Sequence, residues 1–228
     1  MSRKKRLYAD YVKPVIGWLL ALIFVLLFWW LYIILAILVR TKLGSPVFFT
    51  QDRPGQIDPA TGQERIFKLY KFRTMRDAVD QDGNPLPDSE RLTAFGSKLR
   101  STSLDELPEI LVNILIHRDM AWIGPRPLLV SYLPWYNDRE RHRHDVKPGL
   151  TGLAQVNGRN FLNWDARFEL DVQYVENMSF INDIKIVFMT IGKIFGRSDI
   201  AQDTNASEGN FAEIRAAQLN ADEENEKS

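Results

Sequence analysis

Residues 15–39 read VIGWLLALIFVLLFWWLYIILAILV, twenty-five positions without a charge or a proline. As a helix rising about 1.5 Å per residue, the run is about 37 Å long, more than the roughly 30 Å of a bilayer's hydrocarbon core. A helix apolar on every side would leave most of that surface wet in a soluble domain of this size, so the run predicts a membrane element. A cleaved signal peptide would carry an apolar core of only about 7–15 residues before a small-residue cleavage site. Here the run leads into Arg40, Lys42 and a long polar domain. Arg3, Lys4, Lys5, Arg6 and Lys13 precede it, and Arg40, Lys42 and Arg53 follow it. Short basic flanks favour the cytoplasmic side, and both flanks make that demand. A helix that dips in and returns satisfies both; a straight span exports the basic cluster at residues 3–6. Pro14 and Gly17, the evident bending points, lie at the start of the run.

The whole chain, 228 residues, suits one domain or one domain with attachments rather than two full domains. Its formal net charge of zero is an average over unlike segments. Beyond Ser198 eight acids face only Arg215 and Lys227, which leaves 27 basic and 21 acidic side chains in residues 1–198. That mild positive excess suits a phosphate-bearing ligand or an anionic membrane surface. No recognised motif frames it for nucleic acid, so a nucleic-acid partner is not expected. The absence of cysteine excludes a disulfide framework, a thiol nucleophile, an iron–sulfur cluster and a cysteine-ligated zinc site.

Short β-prone runs appear at 47–50 and 65–72, the second (RIFKLYKF) alternating so that Phe67, Leu69 and Lys71 share a face. Between them RPGQIDPATGQE reads as a turn-rich loop. Residues 77–90 are polar and irregular, and Asp80-x-Asp82 lacks the frame of a calcium loop. Ser103 with Glu106 three positions on forms a capping-box pattern, followed by an apolar face of Leu107, Ile110, Leu111, Ile114 and Leu115. The prolines that bracket Arg126 forbid helix at 123–127, and 145–160 reads as a long Gly/Pro/Asn-rich loop. Helices are expected over about 164–176 and 182–195. The acidic stretch from about residue 199 is expected to be mostly disordered.

Asp105 and Glu106 admit two readings. Acids in a first turn stabilise a helix through its dipole, by about 0.3–1 kcal/mol each. The same position keeps a carboxylate ionised, so Asp105 could act as a nucleophile, while Glu106 projects in another direction and could move protons. Lys71, Arg73, Arg100, Arg126 and Arg159 are dispersed cations, several of them in non-helical segments where loops converge on sites. Arg126 is held on a stiff backbone, which presents its planar fork to phosphate at little entropic cost. The glycine-rich stretch 149–158 has neither P-loop nor dinucleotide-site order. His142 and His144, beside Arg139, Arg141 and Arg143, read as an exposed basic strip.

Five motifs taken together carry a resemblance: VFFTQDRPG (47–55), FKLYKFRTM (67–75), LRSTSLDELPE (99–109), IGPRPLLVSYLP (123–134) and HDVKPGLTGLAQVNGRN (144–160), continued by Trp164, Phe168, Asp171 and Tyr174. The chain resembles the bacterial polyprenyl-phosphate phosphoglycosyl transferases, in particular the small monotopic PglC-like sugar transferases, over roughly residues 7–197. The resemblance implies transfer of a phospho-sugar from a UDP-sugar to undecaprenyl phosphate, with release of UMP and a requirement for Mg²⁺. It implies a location at the cytoplasmic face of the bacterial inner membrane. Asp105 would attack the β-phosphorus, forming an aspartyl phospho-sugar that the lipid phosphate then attacks, and would also contact the magnesium. Glu106 completes the catalytic dyad; Lys71, Arg100, Arg126, Arg159 and Asp171 would be substrate- or phosphate-binding. The family's Ser-Pro break in the membrane helix is replaced here by Trp29-Trp30, so re-entry rests on the basic flanks and on the resemblance. The alternative is a catalytically inactive, membrane-anchored binding or scaffold protein of the same fold. The expected architecture is α/β, mostly helical with a few short strands: a basic N-terminus and re-entrant or spanning membrane helix (1–42), a membrane-associated catalytic domain (43–198) and an acidic, disordered tail (199–228). The particular sugar and the formation of a homo-oligomer stay open at this level.

Overall fold

The computed structural model describes residues 7–84, 86–158, 162–196 and 210–226. Backbone contacts divide the chain into two units: Val15–Gln51 with Lys68–Arg118, and Met1–Pro14 with Asp52–Phe67 and Asp119–Ser228.

The unit containing Val15–Gln51 is organised along a single helix, α1 (Lys13–Leu43), which passes through Trp29 and Trp30 without a break. Only 17% of its most apolar window is buried, so it is not the core helix of a soluble domain. The part that is covered comprises Ala21 and, toward the C-terminal end, a stripe of Tyr32, Leu35, Val39 and Leu43 at helical spacing. Polar bonds hold it within this unit at both ends. Trp18 Nε1 donates to the Leu115 carbonyl at 3.0 Å, and the Tyr32 hydroxyl donates to the Leu107 carbonyl at 3.1 Å. At the C-terminal end the Arg73 guanidinium bonds the Leu43 carbonyl and, at 3.0 Å, that of Ser45.

The two β-prone runs form one hairpin, β1 (Phe48–Ile57) and β2 (Glu64–Phe72). Strand β1 continues through Arg53-Pro54-Gly55, which the sequence reads as loop. A two-stranded sheet tolerates proline because each strand has an edge that needs no donor. The true connection, 58–63, closes with Asp58 N–H donating to the Gln63 carbonyl at 2.8 Å. In β2, Phe67 and Leu69 are buried and Ile66 and Lys68 exposed, as the alternation predicts; Phe72 departs from it and stacks on Phe48 at 5.5 Å. Helix α2 (Ala94–Ser101) starts at Thr93, whose side chain accepts from the Gly96 N–H at 3.0 Å. The polar loop at 77–90 folds on Asp80, whose carboxylate accepts from the amides of Asp82 and Asn84.

In the other unit β3 (Ala121–Ile123) pairs in parallel with β4 (Gly149–Thr151), Ala121 opposite Gly149 and Ile123 opposite Thr151. The stretch 145–160 is therefore not loop alone. Helix α3 (Trp164–Glu176) falls on the expected residues, capped by Asn163, and α4 (Phe180–Gly196) covers the second expected helix. Ile123, Val146, Val156, Tyr174, Val175, Met178 and Ile186 make the core. Beside it, Asp183 gathers Lys13 at 2.8 Å and the hydroxyls of Tyr8 at 2.6 Å and Tyr174 at 2.8 Å. The acidic tail is helical in the part described: α5 (Phe211–Glu226) begins with a buried phenylalanine. The remainder of the stretch expected to be disordered, 199–209 and 227–228, lies outside the described residues.

Candidate active site

The Asp-Glu pair is built differently from a capped helix start. Ser103 adopts a left-handed conformation (φ 54°) and makes no side-chain cap. The chain then makes one 3₁₀ turn, Leu104–Glu106, and runs through Leu107 and Pro108 into a π-helix, Glu109–Ile116. The capping box fails because Glu106 has a stronger partner. Its Oε1 lies 2.7 Å from Lys71 Nζ, where β2 ends. A charge-assisted bond outweighs a bond to a neutral backbone amide. A left-handed serine costs about 1–3 kcal/mol, and such strain clusters where a site fixes its residues.

Lys71 also reaches Glu109 Oε1 at 3.3 Å. Its ammonium therefore bridges two carboxylates, with all three side chains less than a fifth exposed. Glu109 is a member of the site that the sequence reading missed; its three-residue spacing from Glu106 was the available signal. Asp105, between Leu104 and Glu106, is buried at 7% exposure. Arg100 approaches from α2, its Nε donating to Thr74 Oγ1 at 3.0 Å. Lys71, Arg100, Asp105 and Glu106 thus belong to one unit. Among the described residues no three His, Cys, Asp or Glu side chains converge as a metal cage. One or two carboxylates, completed by phosphate oxygens and water, make a donor set that Mg²⁺ accepts, so the chemistry of Asp105 and its neighbours is compatible with that ion.

Arg126 and Asp171 belong to the other unit, and Arg159 lies outside the described residues. The Pro125-Arg126-Pro127 loop is held at three consecutive carbonyls. Gly149 N–H donates to Pro125 at 2.9 Å, Arg143 Nη2 to Arg126 at 2.7 Å, and Arg53 Nη1 to Pro127 at 3.4 Å. Fixing both the dihedrals and the acceptors leaves the Arg126 backbone little freedom. The loop lies so close to β4 that a Cβ built on Gly149 would sit 2.0 Å from the Gly124 nitrogen. Gly149→Ala should therefore lower stability by about 1–3 kcal/mol through overpacking, read as an earlier thermal transition in detergent micelles. An unchanged transition would show that the loop can move aside.

Asp171 is fully enclosed, and its Oδ2 accepts from Arg143 Nε at 3.0 Å and Nη2 at 2.7 Å. It fixes the guanidinium that holds the Arg126 carbonyl. Arg143 and His144, read from sequence as parts of an exposed strip, are buried at 2% and 4% exposure; only Arg139, Arg141 and His142 face solvent. Burial of polar side chains follows from partners distant in sequence, here Asp171 for Arg143 and the Gly55 carbonyl for His144.

His144 Nδ1 lies 3.1 Å from that carbonyl, so the neutral ring donates there. Burial, and then the Arg143 charge, push its pKa down to about 3. Between about pH 6 and pH 4 the unfolded chain binds a proton that the folded chain refuses, so stability falls with falling pH in that window, by at most about 1.4 kcal/mol per unit. His144→Gln should flatten that part of the profile in urea unfolding. An identical slope in the variant would assign the acid sensitivity elsewhere.

Comparison with known proteins gives a concordant picture. The family described as bacterial sugar transferase matches residues 8–197. An uncharacterized sugar transferase, EpsL, of Bacillus subtilis is 49% identical over 173 residues, 76% of this chain and 82% of that protein. The UDP-glucose:undecaprenyl-phosphate glucose-1-phosphate transferase of Xanthomonas campestris pv. campestris is 36% identical over 78% of this chain. The undecaprenyl-phosphate galactose phosphotransferase of Salmonella typhimurium is 35% identical over 69%. The chain spans only 38% and 35% of the length of those two proteins.

Proposed function

This chain belongs to the bacterial sugar transferase family, and from that premise we propose that it transfers a phospho-sugar from a UDP-sugar to undecaprenyl phosphate, releasing UMP. The observation that carries the reading is the buried Asp105 beside the Glu106–Lys71–Glu109 network, on a backbone strained at Ser103. An Asp105 carboxylate oxygen attacks the β-phosphorus of the donor. The new O–P bond forms as the bond to the bridging oxygen breaks, and UMP leaves with that oxygen. A phosphate oxygen of undecaprenyl phosphate then attacks the same phosphorus and restores the free carboxylate. Lys71 holds Glu106 in place and offsets the charge of two acids next to the nucleophile. Arg126, on its clamped loop, binds donor phosphate; Arg100 and Arg159 are assigned the same task. Asp171 serves through Arg143. Mg²⁺, held by Asp105, would supply charge neutralisation across the pyrophosphate.

A lipid acceptor requires a site at the membrane, and two features support one. A helix crossing a bilayer could bond a polar unit on one side at one end only, whereas α1 bonds its own unit at Trp18 and at Leu43. That favours a helix that keeps both of its ends, Lys13 and Arg40 included, at the cytoplasmic face over one that crosses. Helix α4 exposes Phe180, Ile181, Ile184, Phe188 and Ile191, a surface suited to the bilayer interface.

The reading is tested by incubating the protein with candidate UDP-sugars. UMP in excess over the protein should appear only when Mg²⁺ and undecaprenyl phosphate are both supplied. Donor with Mg²⁺ but no lipid should release one equivalent of UMP and add one sugar phosphate to the intact mass. Failure of every UDP-sugar to give either product would favour the inactive scaffold.

A further inference from the structure

Helix α5 lies beyond the family match, which ends at residue 197, yet its first residue is one of the most enclosed side chains described. Phe211 is 1% exposed. Its ring sits among four others: Phe168 at 4.9 Å, Tyr132 at 5.3 Å, Trp164 at 5.5 Å and Tyr136 at 5.6 Å. Asn210 caps the helix, accepting from the Ala212 N–H at 3.1 Å and donating to Glu213 at 3.3 Å. One turn on, Arg215 lies over the Phe211 ring at 5.1 Å. Its Nη2 reaches Glu140 at 2.6 Å and Asp165 at 3.1 Å.

Two walls of this cage, Tyr132 and Tyr136, belong to the segment that follows Pro125-Arg126-Pro127, and Leu128 and Leu129 of the same segment pack against the cluster. The Tyr136 hydroxyl accepts from Arg143 Nη1 at 3.2 Å, and Arg143 Nη2 donates to the Arg126 carbonyl at 2.7 Å. Glu140, held by Arg215, lies in the turn that leads into Arg143 and caps that turn through Asn137. Contacts thus run without a gap from the tail to the backbone of Arg126. An aromatic cage with its central ring removed is a void, and its walls relax into it.

We infer that Phe211 and Arg215 are positioning residues: the C-terminal helix wedges the aromatic cage and thereby sets the Pro-Arg-Pro loop, so that donor binding depends on a segment outside the family's shared stretch. This rests on the assignment of Arg126 to the donor's phosphates. The order of the loop can be measured apart from turnover.

The test uses the full chain in detergent micelles as parent, Phe211→Ala, Phe211→Leu and Arg215→Ala. UMP release is followed at saturating undecaprenyl phosphate against the UDP-sugar that the parent turns over in the screen described above, beginning with UDP-glucose and UDP-galactose. KM for the donor should rise about tenfold in Phe211→Ala and about threefold in Arg215→Ala, with kcat within about twofold and Phe211→Leu near the parent. Amide hydrogen exchange at Gly124, Arg126, Leu128 and Leu129 should quicken in both alanine variants. Arg215→Ala leaves the cage filled, so it reports even where Phe211→Ala fails to fold. Unchanged exchange, or a loss of kcat at constant KM, overturns the inference. A parent inactive on every UDP-sugar screened, whose variants nonetheless exchange faster, overturns the donor assignment and the transferase reading, and leaves the tail-to-loop coupling standing.

Discussion

Asp105→Asn should reduce UMP release by at least about a thousandfold, because removing the group that makes the covalent bond eliminates the pathway rather than weakening a contact. The amide is nearly the same size, so the buried position should stay packed and the thermal transition should move little. Intact mass after incubation with donor should show the sugar-phosphate adduct on the parent and none on the variant. Turnover by the variant at near-parental rate, or an adduct that persists in it, would remove the nucleophile assignment. Lys71 and Glu106 would then need another explanation for their enclosure.

The second large effect concerns Arg143. Arg143→Met leaves the Asp171 carboxylate enclosed without its cation, which should cost about 3–5 kcal/mol, a major part of a typical domain's stability of about 5–15 kcal/mol. Combining it with Asp171→Leu should recover most of that loss, since an apolar pair of similar volume can replace a buried ion pair. Activity should not return with stability, because the Arg126 carbonyl has still lost its donor. Urea unfolding and UMP release on the two variants separate these outcomes. Recovery of both in the double variant would show that the arginine holds Asp171 and nothing else of consequence.

What could be read from the chain was local. The apolar run announced α1 by its length, the prolines around Arg126 announced a rigid non-helical loop, and the β2 alternation placed Phe67 and Leu69 inward. What could not be read depended on partners far along the sequence. The capping box at Ser103 was plausible until Lys71, 35 residues before Glu106, drew that side chain away. Arg143 looked solvated because nothing near it reveals Asp171, 28 residues on. The tail looked unstructured because a single phenylalanine in an acidic stretch has no local reason to fold. Its cage is assembled from Tyr132, Tyr136, Trp164 and Phe168. The Asp-Glu pair itself was visible, whereas Glu109 was missed because the partner that brings it into the site, Lys71, lies on a distant strand.

The hydroxyl of Tyr32 is bonded to the carbonyl of Leu107, only two positions after Asp105. Clipping off the greasy N-terminal segment to obtain a water-soluble enzyme should therefore remove a strut from beneath the nucleophile as well as the anchor. Preparations for drug screening or crystallography would do better to keep that segment and supply an amphiphile around it.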